Sequence, residues 1–287
     1  MASKDIAQLW EPLPGVELFN ARLYRHIFSK HFHDAYTIGL TIKGRGACQF
    51  NGENHIQAPG CLHLLNPGEV HTGQPVSEAG WALHNIYLSP TRVEQLLNQL
   101  EFNHSSLPAW PQLVVWDTSL RTTFCRLFRS LNTSAVGLEP ESLLLQLLNQ
   151  LLCKQAQSDL ADSGQTGSLG QSESKAIRRV RAYLEANYSQ TISLAELVQI
   201  ANLSPFYLIR SFHRQVGLPP HAYQRQWQLL QAKRSLRSAK PLTVIALEHG
   251  FYDQSHLTRT FKRTFGVTPG SYQKSHRKGN FVQSPRP

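Results

Sequence analysis

The sequence predicts a multidomain chain. An N-terminal β-barrel or double-sheet jelly roll with flanking helices is followed by an all-α C-terminal part that carries two helix-turn-helix units. Three observations carry this expectation. Residues 36–88 fall into short runs of alternating polarity punctuated by turn signals. Residues 175–275 place apolar residues at helical spacing. A segment of that helical part repeats itself 49 residues later. Period two marks a half-buried strand, and spacings of three and four mark a helix with one buried face. The 287 residues suit two domains of about 100–200 residues each. With 41% hydrophobic and 17% charged residues, the chain can build real cores.

The strands come first. Residues 36–42 alternate, and residues 47–50 lead into Asn51-Gly52, a two-residue hairpin signal because both turn positions need positive φ. Residues 55–58, 61–65 and 81–88 continue the pattern, punctuated by Gly60 and Pro67-Gly68. Helical patterns follow over 91–100, 119–132 and 141–155. In the last, Leu143, Leu144, Leu147, Leu148, Leu151 and Leu152 make a broad face too apolar to stay wet. Packing on the barrel and a dimer interface are both open for it. Residues 157–174 are rich in Ser, Gly and Gln and read as a flexible linker.

Beyond the linker every pattern is helical. Residues 176–187 form an amphipathic helix, Ser193 can cap residues 194–200, and Ser204 can cap a helix that begins at Pro205. Residues 222–238 make a longer helix with Trp227, Leu230 and Leu236 as inward candidates, and residues 244–249 and 254–265 complete the set. The repeat lays residues 208–217 over 257–266, and Pro220 and Tyr223 fall on Pro269 and Tyr272. In each copy an apolar pair four residues apart faces inward: Leu208 with Phe212, and Leu257 with Phe261. Arg210, His213 and Arg214 in the first copy, and Arg259, Lys262 and Arg263 in the second, then face out, the form that enters a major groove.

Charge agrees with that division. Residues 174–287 carry 18 Lys and Arg against 4 Asp and Glu, whereas residues 1–173 carry 11 against 15. One part therefore suits a polyanion and the other does not. Cys48, Cys61, Cys125 and Cys153 form no CxxC pair and read as reduced thiols of a cytoplasmic protein. No apolar run reaches the roughly 20 residues of a membrane span, and the N-terminus has no secretory h-region.

Residues 250–272, from Gly250-Phe-Tyr-Asp-Gln-Ser-His through Gly-Val-Thr-Pro-Gly-Ser-Tyr272, resemble the C-terminal signature of AraC/XylS transcription regulators, and residues 194–223 resemble that family's first helix-turn-helix. The resemblance implies a double-stranded DNA partner and a linker helix joining two reading units. It also implies base contacts from Phe206 and Arg210 in the first recognition helix and from Gln254, Ser255, His256 and Arg259 in the second. Arg214 and Lys262 extend the same cationic faces, Lys262 as a phosphate contact. Phe206 and Ile209 make the first helix unusually apolar for a base reader, suited to thymine methyl groups or to positioning the protein.

The N-terminal motifs His31-Phe-His-Asp, Ala58-Pro-Gly60 and 66–71 (Asn-Pro-Gly-Glu-Val-His) resemble the cupin-type sensor domain of such regulators. That implies an effector pocket with His31, His33 and His71 as ligand-binding residues. A metal cupin would add a glutamate after the H-x-H pair; none stands at that distance here, so no metal and no cofactor are expected. The expected organisation is an effector-binding and dimerisation domain over 1–156, a linker over 157–174, a DNA-binding domain over 175–275 and a tail over 276–287. A small-molecule effector, a homodimer and contact with RNA polymerase are expected, and enzymatic activity is not. A cupin enzyme with an appended basic domain and an architectural DNA-bending protein are the competing classes.

Overall fold

Residues that alternate in polarity build two antiparallel sheets, and the helices close over one of them. The computed structural model describes residues 4–102, 106–133, 137–161 and 173–277, with side chains described except at 156–161 and 277. The strands are β1 (Ile6–Leu13), β2 (Val16–Leu23), β3 (Phe28–His31), β4 (Tyr36–Gly44), β5 (Gly46–Phe50), β6 (Glu53–Gln57), β7 (Leu62–Leu65), β8 (His71–Pro75), β9 (Trp81–Leu88) and β10 (Val114–Val115). One sheet has the order β1-β2-β9-β4-β7-β10 and the other β3-β8-β5-β6. The hairpin stands where the sequence places it: Asn51 and Gly52 have φ of 50° and 85°, and Phe50 pairs with Glu53.

The larger sheet is buried on both faces, and alternation sorts its residues. Leu18, Ile38, Leu40, Leu62, Leu64, Ile86 and Leu88 point to the helical side. Phe19, Ala21, Trp81, Leu83 and Tyr87 point to the other. The sequence reading missed β1, β2, β3, β8 and the two-residue β10. β2 is buried over most of its length, so it lacks a polar-out rhythm, and β8 is a polar His-Thr-Gly-Gln-Pro run.

On the helical side lie α1 (Pro90–Gln99), α2 (Thr118–Thr133) and α3 (Leu138–Ala161). Ser89 caps α1 by accepting from Arg92 N, and Arg92 pairs with Glu141 of α3. The leucine face is settled by this packing. All six leucines are 1–6% exposed, in one core with Leu120, Phe124, Leu127 and Phe128 of α2 and with the sheet. This chain covers the face itself, so the dimer-interface reading of it is corrected. α3 also runs past its predicted end at 155 into the expected linker; residues 162–172 of that linker lie outside the described residues.

The C-terminal helices are α4 (Lys175–Ala186), α5 (Leu194–Ala201), α6 (Pro205–Val216), α7 (Pro220–Ser235), α8 (Leu242–Glu248), α9 (Gln254–Phe265) and α10 (Pro269–Arg277). Their boundaries follow local chemistry. Ser193 and Glu196 form a capping box on α5. Ser204 caps α6 and Asp253 caps α9. Both recognition helices stop at glycines in the left-handed region, Gly217 and Gly266. α7 begins two residues before its predicted start because Pro220 is accepted at the first helical turn. α10 was not predicted, although it starts at Pro269, the repeat partner of Pro220. It extends the helical part to Arg277, two residues into the expected tail; residues 278–287 lie outside the described residues. Among the described residues, no helix is long and apolar enough to cross a membrane.

The two parts share a core. Phe19, Phe28, Phe32 and Tyr87 of the barrel sit in one buried cluster with Phe212, Tyr223, Phe261, Phe265 and Tyr272. Phe32 stacks on Tyr223 at 5.4 Å between ring centroids.

Candidate ligand pocket and nucleic-acid interface

β3 and β8 pair with His31 opposite His71, so two histidines 40 positions apart in sequence become cross-strand neighbours. His33 follows β3 and completes the group. Ring centroids lie 4.4 Å apart for His31 and His71, 4.9 Å for His31 and His33, and 5.2 Å for His33 and His71. Nδ1 of His31 donates to the Ser29 carbonyl at 2.7 Å, and Nδ1 of His71 donates to the Glu69 carbonyl at 3.0 Å. A carbonyl can only accept, so both rings hold their proton on Nδ1 and keep Nε2 as a lone-pair donor.

His63 of β7, which the sequence reading did not single out, joins the same cavity. Its ring occupies space left open by Gly39: a Cβ there would lie 1.8 Å from His63 Nε2. Burial lowers His63 and His71 to about 4, with His71 also acting on His63. Burial, then the neighbouring imidazoles, holds His31 and His33 well below the ordinary histidine range. All four are therefore neutral at physiological pH. Thr37 Oγ1, Gln57 Oε1 and His63 Nδ1, on residues that line the cavity, are buried without a hydrogen-bond partner among the described residues. Buried polar atoms without partners mark a place for a polar occupant. The cavity measures about 50 Å³.

The helical part supplies one wall of this cavity: Lys233 from α7, and Thr264 and Phe265 from the C-terminal end of α9. Lys233 Nζ pairs with Glu17 of β2 at 2.5 Å, with side-chain exposures of 12% and 8%. It lies 5.2 Å from the Phe265 ring centroid and 5.5 Å from that of Tyr272. Tyr272 Oη donates to Glu17, and Arg237 Nη2 stands 3.5 Å from it. Burial alone would raise the Glu17 pKa; Lys233, the Tyr272 hydroxyl and Arg237 outweigh it and hold the carboxyl below its usual value. Around this group, Arg234 pairs with Asp34, Gln226 Nε2 donates to the Phe32 carbonyl, and His276 meets Glu11. Sequence reasoning missed Glu17, Lys233 and Tyr272. One signal was available. Tyr223 and Tyr272 are repeat partners, and each donates to a glutamate: Tyr223 to the half-buried Glu185 within its own part, Tyr272 to the buried Glu17 across the seam.

The recognition helices turn their other ends outward. In α6, Leu208, Ser211 and Phe212 are buried, while Phe206 (75% exposed), Arg210 and Arg214 are exposed. In α9, Leu257, Thr260 and Phe261 are buried, while Gln254, Ser255, Arg259 and Lys262 are exposed. His256 is half-buried, its ring edge against Phe251 at 5.5 Å. Tyr207 and Tyr252, 53% and 87% exposed, stand close in sequence to these residues and were not anticipated. The C-terminal ends face the barrel: a Cβ on Gly266 would lie 3.2–3.4 Å from Phe19 and Phe28, and one on Gly217 would lie 3.0 Å from Val70.

A barrel with a polar cavity, walled by a helical part that exposes two basic recognition helices, defines a ligand-binding transcription regulator in one chain. Residues 13–148 match the AraC-like ligand binding domain and residues 197–275 match a helix-turn-helix domain. The chain belongs to the AraC/XylS family of transcription regulators. It is 28% identical to an uncharacterized HTH-type transcriptional regulator, YbfI of Bacillus subtilis, over 86% of this chain and 87% of that one. It is 25% identical to the arabinose operon regulatory protein of Salmonella typhimurium over 83% of each. Its fold is similar to that of ToxT from Vibrio cholerae, with a TM-score of 0.58 at 11% identity, covering 92% of this chain and 98% of that one.

Proposed function

We propose that this regulator is an effector-responsive, cytoplasmic, non-enzymatic protein that reads two successive major-groove segments. In this reading α6 and α9 are the reading helices, with Phe206, Arg210, Gln254, Ser255, His256 and Arg259 toward the bases and Arg214 and Lys262 toward phosphates. His31, His33 and His71 contact the effector. One observation carries the reading: α9 exposes Gln254, Ser255 and Arg259 at its start and gives Thr264 and Phe265 to the cavity wall at its end. A single 12-residue helix thus joins what is sensed to what is read. Ligand pockets usually measure about 300–1,000 Å³. An organic effector therefore cannot enter the 50 Å³ cavity without displacing the Lys233 and Phe265 wall. Binding and the position of α7 and α9 are then one equilibrium. A ToxT structure described as bound to an unsaturated fatty acid supports a small-molecule effector for this class of domain. The division into 1–156, 157–174, 175–275 and 276–287 stands as part of the proposal. So do a homodimer, through surfaces other than the leucine face, and contact with RNA polymerase.

The test is a selection of binding sites from random DNA. α7, 16 residues long, spans about 24 Å at 1.5 Å per residue, a strut suited to successive grooves about 34 Å apart. Wild type should select two blocks roughly one turn apart. Arg259→Ala should cost about 1–3 kcal/mol and relax one block only. Lys262→Ala should weaken all sequences alike and lower the salt dependence by about one phosphate. An unchanged profile with uniformly weaker binding for Arg259→Ala would make Arg259 an anchor and refute its role as a reader.

A further inference from the structure

We propose that His31, His33 and His71 form a binding site for one divalent transition-metal ion of the zinc class, with a coordination position open to the cavity. The site lies in the pocket proposed above. Ion binding stands on the histidines alone; the ion's use as the anchor for an effector's oxygen or nitrogen donor rests on the effector reading.

Absence of the expected glutamate argued against a metal at the level of sequence; the geometry argues for one. One ligand atom from each of the three residues lies within 4.8 Å of the others. Zinc–nitrogen bonds of about 2.0–2.1 Å in a tetrahedral set need nitrogens about 3.3 Å apart. The rings therefore need to draw in by roughly 1 Å or more, which small χ rotations supply. Two of the three rings are already held for ligation. The carbonyls of Ser29 and Glu69 fix the Nδ1 protons of His31 and His71, which leaves Nε2 free, the outer-shell arrangement that orients metal-binding imidazoles. Among the described residues His33 has no such partner, and it packs against Tyr87 at 4.8 Å, which leaves it to follow the ion. Imidazole nitrogen suits zinc, copper, nickel and cobalt, and a set of three leaves a fourth position for an exchangeable donor.

Size and charge fit the same occupant. A water needs about 10–15 Å³ of such space, so 50 Å³ holds an ion with a few small donors. The nearest cation, Lys233, is committed to Glu17 and so offers a neutral pair to the site.

The test uses full-length protein carrying no polyhistidine tag, stripped with a chelator and titrated with cobalt(II), read by its visible ligand-field bands. One cobalt per chain is expected, displaced by one zinc. His33→Ala and His71→Ala should each weaken cobalt binding at least tenfold, and His55→Gln, at a histidine of β6 that does not line the cavity, should leave the stoichiometry unchanged. Azide should shift the cobalt bands by taking the open position; bands that do not move refute the open position. X-ray absorption of the zinc-loaded wild type decides the matter even where a variant fails to fold. Three imidazole nitrogens at about 2.0–2.1 Å support the site. Lack of stoichiometric binding, a sulfur-ligated spectrum, or full binding by a folded triple variant overturns it. No arm involves DNA, so failure of the DNA-reading proposal leaves these results standing.

Discussion

Replacing Lys233 by Met removes the closest cation from a carboxylate that is 8% exposed. Breaking a buried ion pair from one side costs about 3–5 kcal/mol because a charge is left buried without compensation. Here the Tyr272 hydroxyl still donates to Glu17, and Arg237 remains 3.5 Å away. A hydrogen bond to a charged group contributes about 1.5–3 kcal/mol, so the surviving contacts bring the expected cost of Lys233→Met to about 2–3 kcal/mol. The loss falls on the seam between barrel and helical part, because Glu17 lies on β2 and Lys233 on α7. Removing both charges is different. Glu17→Gln combined with Lys233→Met leaves no buried ion, and such neutral replacements are often close to neutral in stability. The double variant should therefore be more stable than Lys233→Met alone, with a coupling energy of at least about 1.5 kcal/mol. Urea unfolding of the four proteins measures the cycle, and hydrogen exchange of α7 and α10 locates it. Additivity within about 0.5 kcal/mol, or exchange changes confined to the leucine core, would refute the seam as a coupled unit.

Two further outcomes follow from the packing. Leu148→Ala should cost about 2–5 kcal/mol, and Leu144→Asp with Leu148→Asp should abolish the far-ultraviolet signal of a folded N-terminal part. Folded monomers from the double variant would restore the interface reading of α3. His84 stacks on Phe128 at 4.1 Å with 3° between ring planes, and burial lowers it to about 4. The unfolded chain takes up that proton first as pH falls, so His84 contributes stability above pH 6.5 that is lost between 6.5 and about 4. His84→Phe should flatten the stability profile in that window by up to one proton per molecule; an unchanged slope would show that the folded state protonates His84 as readily as the unfolded chain does.

The sequence by itself determined what depends on neighbours a few residues apart. Caps at Ser193 and Ser204, Pro205 at a helix start and the Asn51-Gly52 turn were all legible, because each is a contest among adjacent backbone groups. The 49-residue repeat exposed both helix-turn-helix units, because the same inward pairs recur in each. It also implied α10 and the pairing role of Tyr272, both of which were overlooked. The three histidines were grouped in one pocket through the family resemblance, and no local pattern in the sequence gave their geometry. Their convergence depends on the β3–β8 register, and strand register is set by long-range pairing. The leucine face was equally ambiguous, since an apolar stripe records the need for cover and not its source; α2 and the larger sheet provide the cover. Glu17 and Lys233 lie 216 positions apart. Neither carries a mark in the sequence, because a buried charge becomes tolerable only when the tertiary fold brings its partner to it.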